Sequence, residues 1–341
     1  MKKSLAHTTD PSEALWAFVR LVAGLMVAYC ITAAPVAAQQ PNALVDNNRC
    51  TLLKRSAPRA VVRVLDGATL LLDNGDRVRL AGILIPSIFD TSPPRKASDK
   101  PRVEAQLEAD PWSPAVAAKD ALNKFTLGRP VAIADAERHR DRYGRSVAHV
   151  FATAPDNTAV WLQAAMLTAG HARAYGTPDN FNCISAMQAA EETARLAGRG
   201  IWSNPAYAIR PAWQTRALLA RRGTFQLVQG RVRNATRARG GQIYLNFGDN
   251  WRSDFTAKVA PAVSRSNPAW AASLLDLAGR DVRVRGWISR RNGPMIDVEH
   301  PSQITVLESG AEAPLPARDT QMDGKAKMPA HLSRQDGEAD R

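Results

Sequence analysis

Carboxylates are the scarce charge in this chain. Its 341 residues hold 32 Asp and Glu against 45 Lys and Arg, for a formal net charge of +13 and a pI near 10.1. Such a balance favours anionic partners, with nucleic acid or a phospholipid surface first in line. Cysteine is also sparse, at 3 residues, too few for a disulfide-dense mini-domain. The longest apolar run, Leu21 to Ala33, spans 13 residues, short of the roughly 20 needed to cross a bilayer. No glycine-rich phosphate loop and no serine-nucleophile elbow occurs. His139, His149 and His171 show no metal-ligand spacing with one another or with the cysteines. No repeat at a short fixed period points to a solenoid.

What is there begins with an export signal. Lys2 and Lys3 precede the apolar run, and Val36-Ala37-Ala38 offers small residues for cleavage before Gln39. The expectation is a signal peptide over 1–38 and a periplasmic or secreted protein with no membrane span after cleavage; an uncleaved anchor is the alternative. Cys30 leaves with the signal, so Cys50 and Cys183 remain. Two cysteines in an oxidising compartment suggest one disulfide, against the alternative of two free thiols.

Residues 39–57 read as a polar extension. Thr69 to Leu80 reads as a hairpin turning at Asn74-Gly75. Residues 87–112, rich in Pro, Ser and charge, read as a long loop. Ser113-Pro114 opens a helix to about Leu127, with Pro at a favourable first-turn position. Strands are expected at 131–133 and 146–151, and helices at 160–169 and 183–197, the last stopped by Gly198 and Gly200. A domain over 58–210 is followed by a basic linker, 211–222. Five short strand signals over 223–307 suggest a second small barrel. The tail, 308–341, is polar and aperiodic, a disordered composition.

Several ordered segments of 58–210 carry a resemblance. These are Asp66-Gly67-Ala68-Thr69; Arg79-Leu80 followed by Ile83-Leu84-Ile85-Pro86; Asp141-Arg142-Tyr143-Gly144-Arg145; Gly170-His171-Ala172-Arg173; and Gly200-Ile201-Trp202. In order and spacing they resemble the thermonuclease, or staphylococcal nuclease, family. The resemblance implies an α+β fold, a five-stranded OB-type β-barrel with three helices, and calcium-dependent phosphodiester cleavage. It places the phosphate-gripping arginines at Arg79 and Arg145. The metal-site aspartates fall at Ala68 and Leu84, and the base glutamate falls at Ser87. Asp66 is retained as a weak metal candidate. Alanine and leucine supply no ligand oxygen, and a serine hydroxyl is barely ionised near neutral pH. The expectation is therefore a homologue with a degraded metal and base site and no catalytic residue, its arginines either binding an anion or supporting the fold. Calcium enters only if an atypical active site exists; a carboxylate displaced to Asp90 is one route to it.

From 223 to 307 the pattern resembles an OB-type nucleic-acid-binding module. This stretch carries 12 Arg/Lys against 6 Asp/Glu. Arg231, Arg233, Tyr244, Trp251, Arg252, Arg283 and Arg285 are the candidate nucleic-acid contacts, because aromatic platforms beside cations suit single strands. In Val282-Arg283-Val284-Arg285 the valines take one face and the arginines the other. Three functions compete: a non-cleaving binder of nucleic acid or another polyanion, an active phosphodiesterase with an atypical site, and an envelope scaffold.

Overall fold

In the computed structural model, residues 50, 53–87, 90, 114–134, 140–176 and 183–307 are described. The export signal, His139, most of the 87–112 loop and the tail lie outside them. The chain divides into Met1–Ala43 and Leu44–Arg341, and all described residues belong to the second unit. Among them, no helix is long and apolar enough to cross a membrane.

Period-two burial builds the first sheet. Strands β1 (Val61–Asp66), β2 (Thr69–Leu72) and β3 (Arg77–Leu80) run as an antiparallel meander. Val78 and Leu80 enter the core while Arg77 and Arg79 face away from it. The β2–β3 turn is the expected Asn-Gly turn. Gly75 takes φ +83°, and Asp76 N donates to Asn74 Oδ1 at 3.1 Å. The short β4 (Ile83–Leu84) leaves toward helix α1 (Pro114–Thr126). Strands β5 (Val131–Ala134), β6 (Ser146–Thr153) and β7 (Ala159–Trp161) complete a sheet of order β1-β2-β3-β6-β5, with β7 on β6. Only α2 (Leu162–Thr168) is helical within 160–169, because Ala159 to Trp161 pair with β6 instead. Strand β8 (Arg173–Ala174) pairs with β4, and α3 (Ile184–Leu196) closes this half. Cys50 and Cys183 are disulfide-bonded, their Cα atoms 5.4 Å apart.

The stretch expected to be a linker is structured. It holds β9 (Arg210–Pro211), which pairs with the next strand, and α4 (Thr215–Ala220), whose Leu218 enters the second core. Then come β10 (Phe225–Arg231), β11 (Asn234–Arg237), β12 (Ile243–Asn246) and β13 (Thr256–Val259). Helices α5 (Pro261–Ser266) and α6 (Pro268–Ser273) follow, then β14 (Asp281–Arg291), β15 (Gly293–Val298) and β16 (Ile304–Val306). The second sheet runs β11-β12-β13-β15-β14-β10-β9. The two sheets share a plan. In each, a meander is followed by helix and a hairpin, and the last strand of that hairpin pairs in parallel with the third of the meander: β3 with β6, β13 with β15. This mixed α+β architecture is consistent with the OB-type expectation.

Buried charge joins the two halves. Arg285 of β14 donates to Glu191 Oε2 of α3 at 2.7 Å and to Ala174 O at 3.1 Å. Arg283 donates to Gln229 Oε1 at 2.9 Å and reaches Glu192 at 3.4 Å. Burial lowers the Arg283 pKa to about 10, with the nearby Arg195 charge adding to the shift. Arg173 of β8 donates to Phe225 O at 2.7 Å and pairs with Asp90 at 2.8 Å.

Candidate functional site

The 66–68 turn is built by Asp66, whose Oδ1 accepts a hydrogen bond from Ala68 N at 2.8 Å. Gly67 lets that turn lie against α1 and the segment after β4. A Cβ there would stand 2.7 Å from Ala118 Cβ and 3.2 Å from Ile85 Cγ2. Ala68 is 0% exposed. Leu84 is half-buried in β4, paired with Arg173. Ser87 N donates to Asp90 Oδ2 at 2.9 Å.

Arg79 lies between Thr69 of β2 and Val147 of β6. Arg145 stands two positions before Val147, so the strand period puts both arginines on one side. Electrostatics agree with this placement. Burial holds the Arg79 guanidinium below its ordinary pKa; the Asp66 carboxylate opposes the shift, the Arg145 charge adds to it, and Asp141 opposes it. Arg79 stays protonated near neutral pH nonetheless. Its guanidinium has no hydrogen bond or ion pair with the described residues.

Arg145 differs. Its Nε donates to Asp141 Oδ2 at 2.7 Å, and its backbone N donates to Asp141 Oδ1 at 3.0 Å. Asp141 also accepts from Tyr143 N at 2.9 Å. Burial works against ionisation of Asp141, but the hydrogen bonds from Arg145 and Tyr143 prevail and hold its carboxyl below the usual range. The Tyr143 ring lies 5.2 Å from the Arg145 guanidinium. Thr69, beside Arg79, keeps a buried hydroxyl without a partner.

Asp90, the candidate displaced acid, is engaged by several partners. Its Oδ2 accepts from Arg173, from Ser87 N and, at 3.2 Å, from Tyr207 Oη. Arg221 donates to its carbonyl at 2.9 Å. The carboxylate is buried where the two halves meet, and burial beside it raises the Tyr207 pKa.

Residues 77–204 match the family described as staphylococcal nuclease homologue. The chain carries a domain of the staphylococcal nuclease homologue family. No curated protein matches the chain. Calcium, which the family resemblance implies, takes six to eight oxygen ligands. The side chains of Ala68 and Leu84 offer none, and Asp66 is engaged by the turn. Among the described residues, no group of three His, Cys, Asp or Glu is placed to hold a metal ion. These side chains do not fit calcium.

In the second sheet, the candidate contacts separate. Arg283 and Arg285 are each 5% exposed. Their expected role as nucleic-acid contacts is corrected: the arginine face of β14 is covered by α3 and β8, and its charges are engaged there. Arg231 and Arg233 are exposed but ion-paired, to Asp281 at 2.9 Å and Asp249 at 3.1 Å. Tyr244 and Trp251 come together in one cavity, with Thr236, Asn246, Thr256, Arg291, Asn292 and Met295. Arg252 stacks on Trp251, its guanidinium carbon 4.5 Å from the ring centroid. Arg291 also lines this cavity; a run of two arginines at a strand end carries no sign of which one faces a cavity.

Proposed function

We propose that this staphylococcal nuclease homologue is an exported protein that binds a nucleic acid or another phosphate-bearing polyanion without efficient cleavage. The observation that carries this reading is Arg79, a half-buried cation with no hydrogen-bond or ion-pair partner among the described residues, in a chain that has Ala68, Leu84 and Ser87 where the resemblance expects acids. Arginine suits bidentate recognition of phosphate oxygens. Arg145, oriented by its ion pair with Asp141, presents a second guanidinium from the same side. The residues that support binding do not support hydrolysis. No carboxylate base stands at Ser87, and no oxygen ligands at Ala68 or Leu84 favour a metal to neutralise phosphate or orient water. The Cys50–Cys183 disulfide supports an oxidising compartment, in keeping with the signal-like N-terminus.

The test pairs binding with cleavage. Inorganic pyrophosphate is titrated into the purified chain and its Arg79→Ala variant, and single-stranded DNA is incubated with each in calcium. The expected result is pyrophosphate binding that weakens in the variant, with the DNA intact. Equal pyrophosphate affinity in both proteins overturns the role given to Arg79.

A further inference from the structure

The outer face of the second sheet carries a built cavity remote in sequence from Arg79. Burial alternates along β12: Ile243 and Leu245 point into the core, and Tyr244 and Asn246 point out. Register aligns Tyr244 with Thr236, and Asn246 with Thr256 and, through it, Met295. These side chains form the floor. Two walls rise from it. One is the loop after β12, where Asn250 N donates to Asp254 Oδ2 at 2.8 Å and Arg252 N to Asn250 Oδ1 at 3.1 Å. That loop presents Trp251 at 52% exposure, an indole displayed rather than packed. The other wall is the β14–β15 turn, where Asn292 takes φ +65°. A Cβ at Gly293 would run into the carbonyls of Ser253 and Asp254, so the two walls meet and the cavity has a fixed rim.

Its chemistry is one-sided. The cavity volume is about 360 Å³ and none of the lining residues is acidic. The Arg291 guanidinium, the Asn292 amide and the Tyr244 hydroxyl have no hydrogen-bond partner among the described residues. Arg252 covers one face of the Trp251 ring and leaves the rest of the indole available. A donor-rich, acid-free cavity with a displayed indole suits a ligand that joins a flat ring to anionic oxygens. Its size is at the small end of ordinary ligand pockets, enough for one nucleotide unit rather than a duplex. Bases in a duplex are already stacked on both faces, so only an unpaired base can lie on the indole.

We propose that this cavity takes one unpaired base of a single-stranded nucleic acid, stacked on Trp251, with the adjoining phosphate held by Arg291 and Arg252. The site is separate from Arg79 and stands whether or not Arg79 binds phosphate. The test uses the full chain and fluorescence anisotropy with two probes: a short labelled oligothymidylate, and an abasic oligonucleotide of equal length and charge. The wild type should prefer the base-bearing probe. Trp251→Ala should weaken it by about tenfold and erase the preference, while Trp251→Phe retains it. Arg291→Ala should weaken both probes. Equal binding of the two probes by the wild type overturns the proposal, as does Trp251→Ala binding the base-bearing probe like the wild type. Loss of binding in Arg79→Ala alone, with Trp251→Ala unchanged, overturns this site and leaves the Arg79 reading standing. The reverse pattern supports this site and removes Arg79.

Discussion

Arg79 and Arg145 are both arginines on one side of one sheet, yet they differ in what the native fold asks of them. Arg145 is tied to Asp141, while Arg79 has no partner among the described residues. Removing Arg79 therefore breaks no native bond. Arg79→Ala is expected to weaken pyrophosphate binding by roughly 10- to 100-fold, the span of a charge-assisted hydrogen bond, with its urea midpoint within error of wild type. Calorimetry and a denaturation curve check the two halves. Asp141 makes the opposite prediction. Its folded pKa is depressed, so its stabilisation is present above the ordinary carboxylate pKa and is lost as pH falls through the folded value. Asp141→Asn should be less stable than wild type near neutral pH, by up to about 1 kcal/mol for a pair still partly in water. The gap should close in acid, as urea denaturation across pH would show.

At the scale of elements, β14 shows what a sequence pattern does and does not carry. Valine and arginine alternate along it, and the alternation was legible: Val282 and Val284 enter the second core. The other face was not. Period-two patterning says which residues avoid this core, but not whether water or another element covers them. Here α3 and β8 cover them, and Glu191 stands against Arg285. Glu191→Gln should leave Arg285 buried without its counter-charge, at a cost of about 3–5 kcal/mol, read as a lower urea midpoint. The same limit explains other differences. Residues 211–222 looked like a linker by charge, yet Leu218 anchors them in the second core. Val160 and Trp161 read as helical, yet they pair with the β6 edge. In the candidate site, the motifs placed Arg79, Arg145 and the 66–68 turn. They offered Asp90 only as a displaced acid, and its partners Arg173 and Tyr207 come together only through the fold.

For the whole molecule, covalent and ionic ties act together. The Cys50–Cys183 bond links positions 133 residues apart. Replacing both cysteines by serine should cost about 2–5 kcal/mol, measured by urea denaturation under oxidising conditions; unchanged stability in the variant would count against any structural role. The net charge of +13 makes any nucleic-acid complex sensitive to salt, since phosphate neutralisation releases counterions. The central claim is binding without cleavage. It is tested most directly by incubating the purified chain with labelled single-stranded DNA in excess calcium and following complex and fragment on the same samples. The account predicts a salt-sensitive complex, weaker in Arg79→Ala, and DNA that remains full length. Calcium-dependent fragments that disappear in Arg79→Ala would contradict it.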